Sequence, residues 1–547
     1  MRKLLFLFLF GLNYMQAQEK PNIIFILTDD QSYGMMGCTG NDIVQTPNID
    51  TLANEGILFT NAHITSAICT PSRISILLSQ FERKHGVNFN SGTSVSDDAW
   101  EQSYPMVMKK AGYYRGWVGK NHAPIGEGGY TSGLMDKSFD YWYAGHGHLS
   151  FYPKNRHKIF NDAIATTQPE IINEGINDFL DNNERKLKGA IQFLDERPED
   201  KPFMLSVNFN LPHGASTSTM KLKPNDDEIY KTLYRDKVIP LPENYIAKKD
   251  IKTPKLPSDL LKVEDRQEGY NYVDTPETNK ERYIRQLQAM TGIDRLVGNL
   301  RTKLKDLKID KNTIIIFTSD HGLFMGEQGL GGKSLCYEKT THVPLIVLDP
   351  RVKRKHKGLK SDALVQSIDI APTMLSFGGI NIPKEFQGKD ISHFIKGDKK
   401  EVRDFVFTEN LWSTQFGNPR CESVQNKEWK YIRYYKNNNF SASKKKAVAK
   451  ELGINVNKML YAVHDPDIGV YRDYVESPLQ GEQPVYEELY HLKSDSNEFY
   501  NLVDNTKHKQ ILEGLRKTWK EEIIKARGTE IPKVFRYTND SHPKGGH

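Results

Sequence analysis

Cysteine is scarce in this chain: 547 residues contain four, Cys38, Cys69, Cys336 and Cys421. That excludes a disulfide framework, and without a C-x-x-C pair the common structural zinc sites are excluded too. Sequence alone does not pair Cys38, Cys336 and Cys421 with one another. Membrane-spanning apolar runs are also missing. The run at 4–12 is too short to cross a bilayer and no other segment approaches that length, so no membrane span is expected. Internal repeats are lacking. Nor does one sign of charge prevail: 75 Lys and Arg face 69 Asp and Glu, a balance of +6 with His neutral. No nucleic-acid partner is expected. The basic clusters at 353–360 and 444–446 read as solvated surface, although a basic balance tolerates polyanionic partners better than an acidic one.

What is present is ordinary for a soluble globular protein, 38% hydrophobic and 26% charged. The length favours a large core with a smaller appendage. The N-terminus MRKLLFLFLFGLNYMQAQEK joins Arg2 and Lys3 to a short apolar run and the small residue Ala17. This is the pattern of a cleavable bacterial secretory signal, residues 1–17, with no cysteine near the cut to carry a lipid. A periplasmic or secreted mature protein is expected.

Segments 22–28 (NIIFILT), 203–209 (FMLSVNF), 313–318 (TIIIFT) and 343–348 (VPLIVL) are near-continuous in Val, Ile, Leu and Phe. Continuous apolarity fits strands buried on both faces. Helical patterns lie between them at 46–55, 72–80, 174–194 and 280–307. Such alternation predicts an α/β fold with a mostly parallel sheet covered by helices. Residues 223–279, rich in Pro, Lys, Asp and Glu, read as a surface insertion. Beyond about residue 397 the texture changes: 430–434 and 488–492 read as antiparallel strands and 507–525 as an amphipathic helix. The expected organisation is a catalytic domain at 18–397, a small α+β domain with an antiparallel sheet at 398–537 and a polar tail at 538–547.

Chemistry-bearing residues follow the strand-like runs. The first ends in Asp29-Asp30 and the third in Asp320-His321-Gly322. The second leads to Pro212-His213, and GWVG at 116–119 leads to Lys120 and His122. Each alone reads as a loop or a cap. In an open α/β sheet, however, the carboxyl ends of the strands border the ligand crevice, so the four endings would converge on one rim. Asp29, Asp30 and Asp320 offer hard oxygens suited to Ca²⁺ or Mg²⁺. The stretch C-T-P-S-R at 69–73 sets Cys69 at the mouth of a helix, with Pro71 in its first turn. The N–H groups there favour a nucleophile or an anion. With Arg73, Lys120, His122, His213 and Lys333 around it, the pocket suits a tetrahedral oxyanion ester.

These residues closely resemble those of the formylglycine-dependent type I sulfatases of the alkaline phosphatase superfamily. C-T-P-S-R matches their C-x-P-S-R signature. PNIIFILTDDQ, TPNIDTLANEGILFTNAH, FTSDHGLFMGEQGLGGKSLCYEKTTHVPLIV and SIDIAPTML resemble family segments across 20–397, and ELYHLKSDSNEFYNL resembles the family's C-terminal domain. The resemblance implies a large sheet sandwiched by helices with a small C-terminal domain. It implies that a maturation enzyme oxidises Cys69 to formylglycine, present as a hydrate. One hydroxyl of that hydrate attacks sulfur and the alcohol departs; the other then expels sulfate by re-forming the aldehyde. Carried over, Asp29, Asp30, Asp320 and His321 hold one Ca²⁺ together with residue 69. Arg73 and Lys120 stabilise the hydrate, and His122 contacts its hydroxyl. His213 and Lys333 grip the sulfate, with His213 the candidate general acid.

Two departures stand out. His321 occupies a place where the family often has Asn, and a nitrogen ligand suits calcium less well than oxygen. GKNHAPIG replaces the frequent G-K-W-H-L-G, which keeps Lys120 and His122 but changes the wall around Asn121. Gly145-His146-Gly147-His148 reads as a polar loop or a subsite, and Trp412, Arg420 and Arg433 are candidates to reach the pocket from the C-terminal domain. The expected function is an exported sulfatase of a sulfated polysaccharide such as ulvan, or of its oligosaccharides. A formylglycine-dependent phosphonate or phosphodiester hydrolase is the alternative. A non-catalytic sulfated-glycan binder would require lost catalytic groups, and the set is complete.

Overall fold

A computed structural model describes residues 20–88, 93–145, 189–213, 221–226, 228–260, 271–398, 400–411, 419–436, 475–529 and 534–536. The expected signal segment, His146 to His148, Trp412 and the polar tail lie outside these residues, as does 174–188 of the helix expected at 174–194.

The main sheet has nine strands. They are β1 (Asn22–Asp29), β2 (Ile57–His63), β3 (Tyr114–Lys120), β4 (Tyr141–Gly145), β5 (Phe203–Pro212), β6 (Thr313–Ser319), β7 (His342–Leu348), β8 (Leu359–Ser361) and β9 (Val365–Gln366). The order is β8-β2-β7-β6-β1-β5-β3-β4, with β9 also beside β2. Only β7 runs against the rest, pairing antiparallel with both β6 and β2. All eight residues of β1 are buried. Ile24 and Ile26 enter one apolar cluster while Ile23, Phe25 and Leu27 enter the other, so the strand is covered on both faces. That is why its sequence is apolar throughout.

Helices supply the covers. On one face lies α2 (Pro276–Asp306), started by Pro276 and by the Thr275 hydroxyl, which accepts from the Thr278 N–H at 3.3 Å. It buries Leu287, Met290, Ile293, Val297, Leu300 and Leu304 against the sheet. On the other face lie α1 (Cys69–Leu78) and α3 (Ile370–Phe377), through Ile74, Leu77, Ile370 and Met374. The 223–279 stretch is more than a surface insertion. Tyr234 and Ile239 are buried in the α2 cluster, and the hydroxyls of Tyr234 and Thr291 are 2.6 Å apart.

A second sheet of four antiparallel strands follows: β10 (Val406–Asn410), β11 (Arg420–Gln425), β12 (Trp429–Tyr435) and β13 (Tyr486–His491). It is covered by α4 (Lys509–Arg527), whose Leu512, Leu515, Trp519 and Ile523 meet Phe407, Val424, Tyr431 and Leu489. Among the described residues, no helix is long and apolar enough to cross a membrane.

Candidate active site

Register brings the chemistry together. Parallel pairing sets Thr28 beside Ser319 and Asp29 beside Pro212, and β3 ends in Lys120 on the same rim. Asp30, just past β1, adopts a left-handed backbone (φ 60°). Its N–H donates to Asp320 Oδ1 at 3.3 Å. Across the rim, α1 begins at Cys69 itself, one turn earlier than the pattern predicts, and Cys69 is fully buried. The Ser72 hydroxyl fixes that helix start by donating to the Asp320 carbonyl at 2.6 Å.

Cys69 Sγ therefore sits among ionic side chains. Lys333 Nζ donates to it at 3.1 Å and to Asp30 Oδ1 at 3.0 Å. His321 Nε2 lies 3.3 Å from the sulfur, and Asp29 Oδ1 lies 3.9 Å away. Arg73 donates through Nε to Asp320 Oδ2 at 2.9 Å and pairs with Asp29 at 3.4 Å. Lys120 bonds to Asp29, and His213 bonds to Asp30 through Nδ1. His213 is the open member: its side chain is 22% exposed, whereas Asp29 and Asp30 are 0% and Lys333 is 1% exposed. His122 is buried two residues beyond Lys120, its ring stacked on Tyr130 at 6.0 Å.

Three carboxylates thus face Arg73, Lys120, Lys333 and two histidines in a largely buried pocket. Burial pushes the Asp29 and Asp30 carboxyls up, but the surrounding cations outweigh it and hold both well below the usual carboxylate range. Lys120 and His213 act most strongly on Asp29, and His213 and Lys333 on Asp30. Burial lowers His213 more than Asp30 raises it. His321 goes the other way. Burial opposes its charge, yet Asp320 with Cys69 and Asp30 raises it to about 9.

Asp29, Asp30, Cys69 and His321 each offer a ligand atom, and these atoms all lie within 4.8 Å of one another. Two hard carboxylates, an imidazole and residue 69 fit a divalent cation. Asp320, also expected among the ligands, has Oδ2 on Arg73 at 2.9 Å and Oδ1 3.6 Å from His321 Nε2, at the edge of the group. Arg420 and Arg433 are engaged within the C-terminal unit, Arg420 on Glu482 at 2.6 Å and Arg433 over the Trp519 ring at 3.7 Å. Two supports were not expected from sequence: Ser72, and Arg282 of α2, which donates to the His213 carbonyl at 2.9 Å. Ser72 lies inside C-T-P-S-R and carried a signal; Arg282 carried none.

The sulfatase family model matches residues 21–380, well over half of the chain. The chain belongs to the sulfatase family. A second model, the C-terminal part of N-sulphoglucosamine sulphohydrolase, matches residues 326–454 of this sulfatase. Among curated relatives it is 27% identical over 478 residues to an N-acetylglucosamine-6-O-sulfatase of Bacteroides thetaiotaomicron, covering 77% of this chain and 79% of the relative. It is 25% identical to an ulvan-active sulfatase of Formosa agariphila, with 82% of each covered. A solved complex with D-glucosamine-2-N,6-O-disulfate superposes with a TM-score of 0.65 at 21% identity, over 94% of this chain and 100% of that one. The last likeness speaks for the fold.

Proposed function

We propose that this sulfatase is exported and hydrolyses sulfate esters of a sulfated polysaccharide or its oligosaccharides, ulvan being one candidate. Residue 69 acts in its formylglycine form, produced by a separate maturation enzyme, beside one bound Ca²⁺. The observation that carries the reading is the placement of Cys69. It stands at the first turn of a helix, 3.1 Å from Lys333 and 3.3 Å from His321, where a plain structural thiol has no reason to be. Asp29, Asp30, Asp320 and His321 with residue 69 would hold the Ca²⁺, which when bound would polarise an anionic oxygen of the ester.

The remaining roles fall to the chain's own groups. Residue 69 presents the attacking hydroxyl to sulfur. Arg73 and Lys120 keep the carboxylates behind it charged and fixed, and Lys333 offers its ammonium to a sulfate oxygen. His213 has Nδ1 on Asp30 and faces the open side of the pocket, so Nε2 is the atom to protonate the departing sugar oxygen. His122, behind Lys120, takes the second hydroxyl of residue 69. Support for a glycan substrate comes from the curated relatives, whose names give an amino-sugar 6-O-sulfatase and an ulvan-active enzyme.

Sulfate release from a panel of sulfated oligosaccharides, alongside an aryl sulfate and an aryl phosphodiester, tests the proposal. Desulfation of at least one glycan is expected. Faster turnover of the phosphodiester than of any sulfate, or no sulfate from any glycan, overturns it. Mass spectrometry of the peptide containing residue 69 must show formylglycine in active protein.

A further inference from the structure

We propose that Cys336 and Cys421 become a disulfide in the mature protein, a strap between the loop that carries Lys333 and the C-terminal sheet. Cysteine occurs only four times in the chain, and with Cys69 in the active site three remain. Two of those three meet. Although 85 residues apart in sequence, their Sγ atoms are 3.4 Å apart, and both side chains are fully buried. Cys38 lies elsewhere, near Asp50, partly exposed.

The thiols have weak alternatives to each other. Cys336 reaches the Thr408 carbonyl and Cys421 the Ser334 carbonyl, each at the long distance of 3.7 Å. The walls are Leu330, Leu335, Tyr434 and Tyr490. An S–S bond of ~2.05 Å requires the sulfurs to close by only ~1.4 Å. Cys421 is also fixed in place, since it belongs to β11 and pairs in register with Asn410 and Tyr434.

The strap has a functional address. Cys336 is three residues past Lys333, and between them the Ser334 N–H donates to the Ala67 carbonyl at 2.9 Å, two residues before Cys69. One loop therefore holds Lys333 against the nucleophile on one side and is tied to the C-terminal sheet on the other. In the oxidation each thiol gives up its hydrogen and one S–S bond forms. Two electrons and two protons pass to a disulfide acceptor such as oxidised glutathione, which is cleaved to two thiols. Burial pushes the Cys421 thiol up and keeps both sulfurs out of reach of the acceptor, so the bond forms before the seam closes. The inference rests on the export reading only for where that acceptor is met.

Two preparations test it. The full chain is recovered from the periplasm of a bacterial host, and the same chain, reduced and unfolded, is refolded with oxidised and reduced glutathione. Each is unfolded, alkylated and mapped without reductant. Supporting results are one linked peptide pair containing Cys336 and Cys421, lighter by two hydrogen atoms than the separate peptides and parted by reductant. Thermal unfolding should also occur at lower temperature after reduction, a shift absent in the Cys336→Ser/Cys421→Ser variant. Both cysteines alkylated in both preparations, or either one linked to Cys38 instead, overturns the pairing. Absence of the chain from the periplasm counts against export and leaves the pairing to the refolded chain, whereas a linked pair in the refolded chain but not in the periplasmic one overturns the bond in the mature protein.

Discussion

At the scale of single residues, the site depends on a few side chains whose neighbours give them their character. Cys69→Ala should abolish turnover, with stability lowered by roughly 1 kcal/mol because the buried side chain of residue 69 is cut back. Activity within about tenfold of the parent, a loss of no more than ~1.4 kcal/mol in transition-state stabilisation, would remove the covalent mechanism. Cys69→Ser should be nearly as damaging where the maturation enzyme accepts only cysteine. His213 permits a sharper comparison. An aryl alcohol leaves without much help, whereas a sugar alcohol needs a proton at the bridging oxygen. His213→Ala should therefore slow release from a sulfated oligosaccharide more than from an aryl sulfate, by a gap approaching the roughly 10²–10⁴-fold of general acid catalysis. Equal losses on both substrates would leave His213 a sulfate-binding group only.

At the scale of elements, the site is a set of endings: β1, β3, β5 and β6 terminate on one rim, and α1 begins opposite them. This much was legible in sequence, because strands buried on both faces are apolar without interruption and the polar residues that follow them are conspicuous. The direction of β7 was not legible. VPLIVL is apolar throughout and reads alike whichever way it runs. The contact of Asp320 Oδ2 with Arg73 was hidden for a different reason, since it depends on how α1 sits against the rim, a geometry that spacing does not carry. Cys336 and Cys421 were likewise unpaired in sequence, since only the docking of two sheets brings them together. A further prediction belongs at this scale. Removing with a chelator the ion proposed between the ends of β1 and β6 would leave Asp29 and Asp30 to Lys120, Lys333 and His213. Activity and thermal midpoint should both fall, and Ca²⁺ should restore both better than Zn²⁺, since hard oxygens outnumber nitrogen in the shell. Stronger rescue of the midpoint by Zn²⁺ would make His321 the dominant ligand and overturn the calcium assignment.

At the scale of the whole molecule, the catalytic face and the C-terminal sheet are joined by buried ions as well as by apolar packing. Arg83, in the short helix Glu82–His85 that follows α1, is fully enclosed. Its Nε donates to Glu409 Oε2 of β10 at 2.9 Å, and its guanidinium pairs with Glu422 of β11. Trp519 of α4 donates to the same Glu422 at 2.8 Å. Arg83→Ala would leave two buried carboxylates without their cation, a change that costs about 3–5 kcal/mol where measured in other proteins. Its pH dependence has a definite sign. Burial already raises the Glu409 carboxyl above its usual value, and Arg83 is the main group opposing that rise. Without Arg83 the folded-state value climbs further, so the folded protein binds protons that the unfolded chain has released. Stability in that case is lost as pH rises above the unfolded carboxyl value of about 4.3. The variant should thus lie closer to the parent near pH ~5 than near pH ~8, and Glu409→Gln in the Arg83→Ala background should recover part of the loss. Thermal unfolding of the three proteins at the two pH values decides the matter. A deficit below ~1 kcal/mol, or one that shrinks as pH rises, would mean that water reaches the seam and that the two units are held by their apolar contacts alone.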